Sequence, residues 1–295
     1  MKFAFVKEHR RTSTSSVASR WPAAVICRVL RVARSGFYAW LKRGPSARQQ
    51  RQAQLLARIR VAHAQNRELY GSPRVHRALL VDGGEVVSRN TVARLMRAAK
   101  IRAKTRRRYV PRTTDGAHRQ PVADNVLDRD FTAASVDRKW LADITYVPTD
   151  EGWLYLAAVL DCFSRKLVGW AMADHMETDL VSDALKMALQ HRRPDGAKLL
   201  HHSDRGVQYA SDDYRHLLER HAITVSMSGR GDCYDNAMME SFWATLKTEL
   251  VHHQTYATRA QARQSIFEYV EVFYNRKRLH SSLGYVSPES FEAAA

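Results

Sequence analysis

A chain of 295 residues with 45% hydrophobic side chains is long enough for one sizeable core plus smaller modules, and its longest apolar run, Trp153–Leu160, falls far short of the ~20 residues a membrane helix needs. Three scattered cysteines, Cys27, Cys162 and Cys233, have no CxxC spacing, which excludes a disulfide framework and a cysteine zinc site and fits a reducing cytoplasm. The net charge of +17 is uneven, with 28 Lys/Arg against 5 Asp/Glu up to Gln120 and 19 against 25 beyond it, so the front half is expected to grip a polyanion, DNA first, while the rear half does the chemistry.

The opening MKFAFVKEHRR carries charges where a signal peptide needs an apolar region, and TSTSSVAS after it reads as a loop. From Trp21 the pattern changes. Ala24, Cys27, Val29 and Leu30 suggest a short helix, Arg31 to Arg34 a turn, and Ser35 a cap on a second helix through Leu41. Residues 1–45 thus form either a helix-turn-helix-like segment or a plain helical hairpin. A longer helix begins at Ser46, with Leu55, Leu56, Ile59 and Ala62 as its apolar stripe. YGSPRVHRALL predicts a helix capped by Ser72 with Pro73 at its first position, and after the turn DGGEVV a third helix opens at Ser88. Residues 46–103 are therefore expected to form a helical, helix-turn-helix-like DNA-binding domain. If Ser88 to Lys100 is its recognition helix, Arg89, Asn90, Arg94 and Arg97 are available to a major groove. The following basic linker, 104–130, has no acidic residue before Asp115; Arg106, Arg107 and Arg108 would meet phosphates there, with a log-log salt slope of roughly −0.9 per phosphate contacted.

From Ser135 the pattern predicts strands at Lys139–Val147, Trp153–Asp161 and Lys166–Met172, a helix at Thr178–His191, a strand leading to Asp204, a helix at Asp212–His221, a strand at Ile223–Met227 and a helix carrying Glu240. Three adjacent strands followed by alternation suit an α/β core, a mixed five-stranded sheet with helices on both faces. It would span 131–250, with 251–295 a helix (Ile266, Val270, Phe273) and tail packed on it. Asp143, Asp204 and Glu240 are the candidate catalytic and metal-binding residues. Three carboxylates close together repel and raise one another's pKa values. Hard oxygen ligands suit magnesium, and two such ions can activate an attacking oxygen and stabilise a leaving one in phosphodiester chemistry.

Around that trio, Asp161 is either a fourth carboxylate or a structural turn residue, and at most one of His201 and His202 can face the cleft. Asp183, Asp232 and Asp235 read as solvated or capping groups, and Asn236 as a helix cap. Trp243 and Lys247 share a helix face with Glu240, so Lys247 is a candidate for holding DNA. Arg276 to Arg278 either touch target DNA or form a basic turn, with Tyr274, Leu283 and Tyr285 anchoring the tail.

WLADITYV, HHSDRGVQY, DNAMMESFWATLKTEL and FYNRKRLHSSLGYVSP together resemble the second-frame product, OrfB, of the insertion-sequence-three family of bacterial transposases, from about Ile26 to Phe291. The resemblance implies a ribonuclease H-like integrase core, magnesium (two ions, with manganese able to substitute) at Asp143, Asp204 and Glu240, and cutting and joining of the element's own ends. A strand would be hydrolysed at a terminal inverted repeat and the freed 3′-hydroxyl would attack target DNA. A branched intermediate and a circular form are implied as well. So are a homo-oligomer on DNA and a first-frame partner, joined by frameshift fusion, that supplies a helix-turn-helix and a zipper; no sustained heptad pattern is present here. Val207 departs from the serine expected in that block. Arg11 to Ala23 departs from the family's opening. Two rivals remain open, a ribonuclease H-type nuclease that cleaves without strand transfer and a non-catalytic DNA-binding regulator. A cytoplasmic, nucleoid-associated protein without a membrane partner is expected.

Overall fold

The structure, a computed structural model, describes residues 2–10, 21–104, 122–229 and 233–295. The chain divides into two compact units, Met1–Ile59 and Arg60–Ala295. In the first, helices α1 (Lys2–His9), α2 (Ala23–Val29) and α3 (Arg34–Lys42) close on Val6, Ile26, Cys27 and Phe37. No helix was expected at α1, where apolar periodicity is weak; aromatic contact holds it instead. Phe3 lies 6.2 Å from Phe37 and 5.9 Å from Trp40, and the Lys2 amine donates to the Leu30 carbonyl (3.0 Å) at the end of α2. Helix α3 starts at Arg34 with Ala33 at its cap, so Ser35 sits inside the first turn and is not the cap. The TSTSSVAS stretch lies outside the described residues. Helix α4 (Ala47–Gln65) opens on a reciprocal capping box: the Gln49 N–H donates to Ser46 Oγ (3.3 Å) and the Ser46 N–H to Gln49 Oε1 (2.8 Å).

The second unit begins within α4 at Arg60 and continues with α5 (Ser72–Gly83) and α6 (Arg89–Ala98). Gly71 stands at the cap of α5, which makes Ser72 its first helical residue rather than its cap. The helix ends on Gly84 at φ 57°, a left-handed position that glycine adopts without strain. Ser88 caps α6 as expected, accepting the Thr91 N–H (3.3 Å). Val75, Ala78 and Leu79 of α5 and Val92, Leu95 and Met96 of α6 are buried.

A five-stranded sheet follows, β1 (Lys139–Thr149), β2 (Gly152–Asp161), β3 (Leu167–Ala173), β4 (Leu200–Ser203) and β5 (Thr224–Met227), in the order β3-β2-β1-β4-β5. β1 to β3 form an antiparallel meander, while β4 and β5 add in parallel on the other side of β1. The parallel strands need crossovers, supplied by α7 (Thr178–Arg192) before β4 and α8 (Asp212–Arg220) before β5. One sheet face, with Trp140, Ala142, Ala157 and Val159, packs on Leu180, Ala184 and Leu185 of α7 and Tyr214 and Leu218 of α8. A β-carbon at Gly169 would fall inside the van der Waals envelope of the Ala184 carbonyl and Ala188, so glycine there sets how closely α7 lies on β3. The opposite face meets α9 (Ala237–Glu249), where Trp243 bonds to Asp143. Helices thus cover both faces, as alternation within β1 requires.

Past α9 come α10 (Arg259–Phe267), continued by a π-helical turn at Glu268–Tyr274, and α11 (Pro288–Ala293). Asn275 closes the edge of β3, accepting the Leu167 N–H and donating to its carbonyl (3.0 Å each). Glu292 anchors α11 through the Ser164 hydroxyl (2.7 Å), Lys166 (3.2 Å) and Arg192 (2.8 Å).

Candidate active site

The sheet register brings two candidate carboxylates side by side. Ala142 of β1 pairs with Ser203 of β4, and Asp204 follows one residue later. It therefore comes next to Asp143 at about the 4.8 Å spacing of neighbouring strands. Each is oriented by its surroundings. Asp143 accepts the Ile144 N–H at Oδ1 (2.8 Å) and the Trp243 indole N–H at Oδ2 (2.9 Å). Asp204 Oδ1 accepts the Gly206 N–H (2.9 Å); a β-carbon on Gly206 would stand 3.0 Å from that oxygen. Val207, the departure from the expected serine, is exposed, and its larger side chain costs no packing.

Glu240 lies in the first turn of α9 and is exposed. Two bonds fix that helix to β1: the Trp243 indole to Asp143, and Asn236 Nδ2 to the Ala142 carbonyl (3.2 Å). Asn236 stands at the cap position but makes no side-chain cap bond; its amide is spent on the strand. The position of Trp243 was legible as Glu240's face, three residues on, but its bond to Asp143 was not. Among the described residues, the possible ligand atoms that all lie within 4.8 Å of one another belong to His175, Glu177 and Asp179 at the surface. Asp143, Asp204 and Glu240 are more widely spread than that.

Electrostatics nevertheless tie the three together. Burial, then the charge of Asp204, push the Asp143 carboxyl up to about 7 against the opposing bonds from Ile144 and Trp243, and Glu240 adds a smaller push. Partial desolvation raises Glu240 as well, although its side chain stays exposed. A grouping of this kind is relieved by a proton or a cation. Its donors are all carboxylate oxygens, which fits magnesium better than a softer ion. Lys247 stands beside the site, its amine 5.1 Å from the Tyr146 ring centroid; burial lowers its pKa and Asp143 opposes that.

Other expectations resolve structurally. Asp161 is buried and accepts the N–H groups of Asp137 (2.7 Å), Phe163 (2.8 Å) and Ser164 (3.1 Å), so it is a turn residue. His201 and His202 are buried, against Tyr214 and against Ser226 and Ser228 respectively; burial holds them neutral, pushed down to about 3 and about 4. Asp235 is neither solvated nor a cap: it is buried and accepts from Asn125, Arg129 and Gly229, while Asp232 lies outside the described residues. Arg278 is buried and forked onto Glu249 (2.8 and 2.7 Å), so it is not part of an exposed basic turn. Tyr274 and Leu283 are buried anchors, as expected, and Tyr285 is half-buried.

On α6, Arg89, Asn90, Arg94 and Arg97 are all exposed, opposite the buried Val92, Leu95 and Met96. Arg106, Arg107 and Arg108 lie outside the described residues. A cavity of about 540 Å³ opens at the other ends of the parallel strands, between Asp130, Lys139, Lys198 and Thr224, away from the carboxylates.

The chain matches two family models described as "Integrase core domain", over residues 133–233 and 221–288, and one described as "HTH-like domain", over 49–109. It is 42% identical over 294 residues to "Transposase InsF for insertion sequence IS3A" of Escherichia coli (strain K12), covering 99% of this chain and 98% of that one. It is also 45% identical over 266 residues to "Insertion element IS600 uncharacterized 31 kDa protein" of Shigella sonnei, covering 90% and 97%. Among solved structures there is a looser likeness to the HTLV-2 integrase catalytic core domain in complex with magnesium (trimeric form), at TM-score 0.43 and 11% identity, covering 55% of this chain and 99% of that chain.

Proposed function

This chain belongs to the transposase family of insertion sequence IS3, and on that premise we propose how its residues carry out DNA transposition. It is a polynucleotidyl transferase with an integrase core. Asp143, Asp204 and Glu240 are the catalytic carboxylates and hold magnesium, as two ions with manganese able to replace it. When bound, the metal supplies the charge that lowers the proton affinity of the attacking oxygen and stabilises the leaving one. The observation that carries this assignment is the β1–β4 register that sets Asp204 beside Asp143, with the Trp243 bond bringing the helix of Glu240 onto the same strand; the raised Asp143 carboxyl agrees with it.

The chain's own groups orient the site. Trp243 and Ile144 fix the two oxygens of Asp143, Gly206 fixes Asp204, and Lys247 brings a cation to the same face for a phosphate. In the first step water attacks a phosphodiester at an element end and a 3′-hydroxyl leaves; in the second that hydroxyl attacks target DNA and another 3′-oxygen leaves. No covalent enzyme intermediate is needed.

The segments divide the work as read from the sequence: 1–45 and 46–103 bind DNA, with Arg89, Asn90, Arg94 and Arg97 reaching bases. The linker 104–130 contacts phosphates through Arg106, Arg107 and Arg108, 131–250 is catalytic, and 251–295 packs on it. The working complex includes more than one copy of the chain and a first-frame product, in the bacterial cytoplasm at the nucleoid. No helix among the described residues is long and apolar enough to cross a membrane. The test is strand nicking and joining, with and without magnesium, on a labelled duplex carrying the inverted repeats that flank the gene. Joined products that vanish in Glu240→Gln are expected. Cleavage without joining would replace the reading with a nuclease, and binding without either reaction with a regulator.

A further inference from the structure

We propose that a second site on this chain, a pocket on the flank of α9 adjoining the Glu240 face, binds one phosphate group of the DNA backbone. The proposal rests on the transposase reading and deepens it. The pocket encloses about 240 Å³ and is bordered by Arg74 of α5, Arg165 of the β2–β3 turn and Arg278 of the tail, together with the hydroxyl residues Ser241, Thr245 and Ser281. No Asp or Glu is among its lining residues.

The three guanidinium groups are not equivalent. Arg278 is committed: two of its nitrogens bond Glu249 (2.8 and 2.7 Å), and Nη1 meets His280 Nε2 (3.1 Å). Arg74 reaches Glu249 only at 3.5 Å, too long for a good hydrogen bond, and so keeps donors for another acceptor. Arg165 forms no ion pair among the described residues; its backbone is held in place by the Tyr274 hydroxyl, which donates to its carbonyl (3.1 Å).

One carboxylate against three guanidinium groups leaves a surplus of positive charge. His280 registers it: burial, then Arg278, Arg74 and Arg165, push its imidazole down to about 2, which keeps Nε2 free to accept from Arg278. A small polar cavity with forked cations and several hydroxyls suits a tetrahedral oxyanion. Ser241 directly follows Glu240 and lies about 100° round the helix from it, so a backbone crossing α9 meets both the carboxylate and the pocket. The same chemistry would also accept free inorganic phosphate, and the two sources can be separated.

The full-length chain would be titrated with a labelled duplex carrying an element end across a salt series, as wild type, Arg165→Gln and the exposed control Arg220→Gln. The loss of one phosphate contact predicts a roughly three- to tenfold weaker affinity and a log-log salt slope shallower by about 0.9 for Arg165→Gln alone. In a second arm without DNA, inorganic phosphate should raise the melting temperature of wild type and not of Arg165→Gln. A phosphate effect with an unchanged DNA slope would overturn the DNA assignment and confine the pocket to free anions. No difference in either arm would overturn the pocket itself, and if wild type still joined DNA the transposase reading would stand. Wild type that neither bound nor joined the duplex would instead sink that reading. Should Arg165→Gln fail to fold, Ser281→Ala, which deletes an exposed hydroxyl but no charge, should weaken duplex affinity with the salt slope unchanged, and an unchanged affinity would overturn the pocket.

Discussion

Helix α9 carries a carboxylate toward each end, and the two are treated in opposite ways. Glu249, near its C-terminus, is forked by Arg278 and accepts the Tyr269 hydroxyl (2.8 Å). Glu240, at the other end, adds its charge to Asp143, with which no cationic side chain forms an ion pair among the described residues. Compensated charge of the first kind is structure: it joins α9 to the tail and, through Arg74 and the Tyr70 hydroxyl, which accepts the Leu279 N–H (2.9 Å), to the start of α5. Uncompensated charge of the second kind is left for a ligand. By that criterion Arg278 of the basic run Arg276–Arg278 is a structural group, while Asp143 keeps its charge open to a ligand.

The largest effect should come from breaking the uncompensated end. Asp143→Asn removes a ligand worth several kcal/mol of transition-state charge stabilisation, so strand joining should drop roughly 10³-fold, measured on the labelled duplex. The same change should stabilise the metal-free fold, with a definite pH dependence. Folding raises the Asp143 carboxyl from 3.8 to about 7, so between those values the folded chain holds more protons than the unfolded one and this contribution to stability falls as pH rises. The melting-temperature advantage of Asp143→Asn over wild type in chelator should therefore widen from about pH 4 to about pH 7.

Breaking the compensated end costs stability instead. Glu249→Gln leaves Arg278 buried and unpaired, for which about 3–5 kcal/mol is expected, read as a lower urea midpoint with Asp143 and Asp204 untouched. A smaller effect should follow Arg94→Ala on α6. If Arg94 reads a base, one sequence position relaxes at a cost of about 1–3 kcal/mol; if it meets a phosphate, binding weakens across all sequences and the salt slope falls by about 1. The smallest change, Ser88→Ala, should cost about 1 kcal/mol of melting stability through the lost cap on α6.

The strands, α7, α8 and the cap at Ser88 were legible because period-two alternation and capping chemistry are local. So was the placement of Asp143, Asp204 and Glu240 on a strand, past a strand and on a helix. What was not legible depends on long-range partners. Helix α1 is held by Phe37 and Trp40 rather than by its own periodicity, and Asn236 bonds β1 instead of its helix. Asp235 and Arg278 read as solvated because their burial and partners come from residues far off in the chain. The role of Trp243 depended on which strand would lie beneath α9, and spacing alone does not specify that.

The most direct test of the claim that this cleft's charge awaits a cation is the melting temperature of the full-length chain at neutral pH, titrated with magnesium in the absence of DNA, for wild type and Asp143→Asn. A rise in wild type that is largely lost in the variant is the predicted result. Equal rises in both, or none in either, would contradict it.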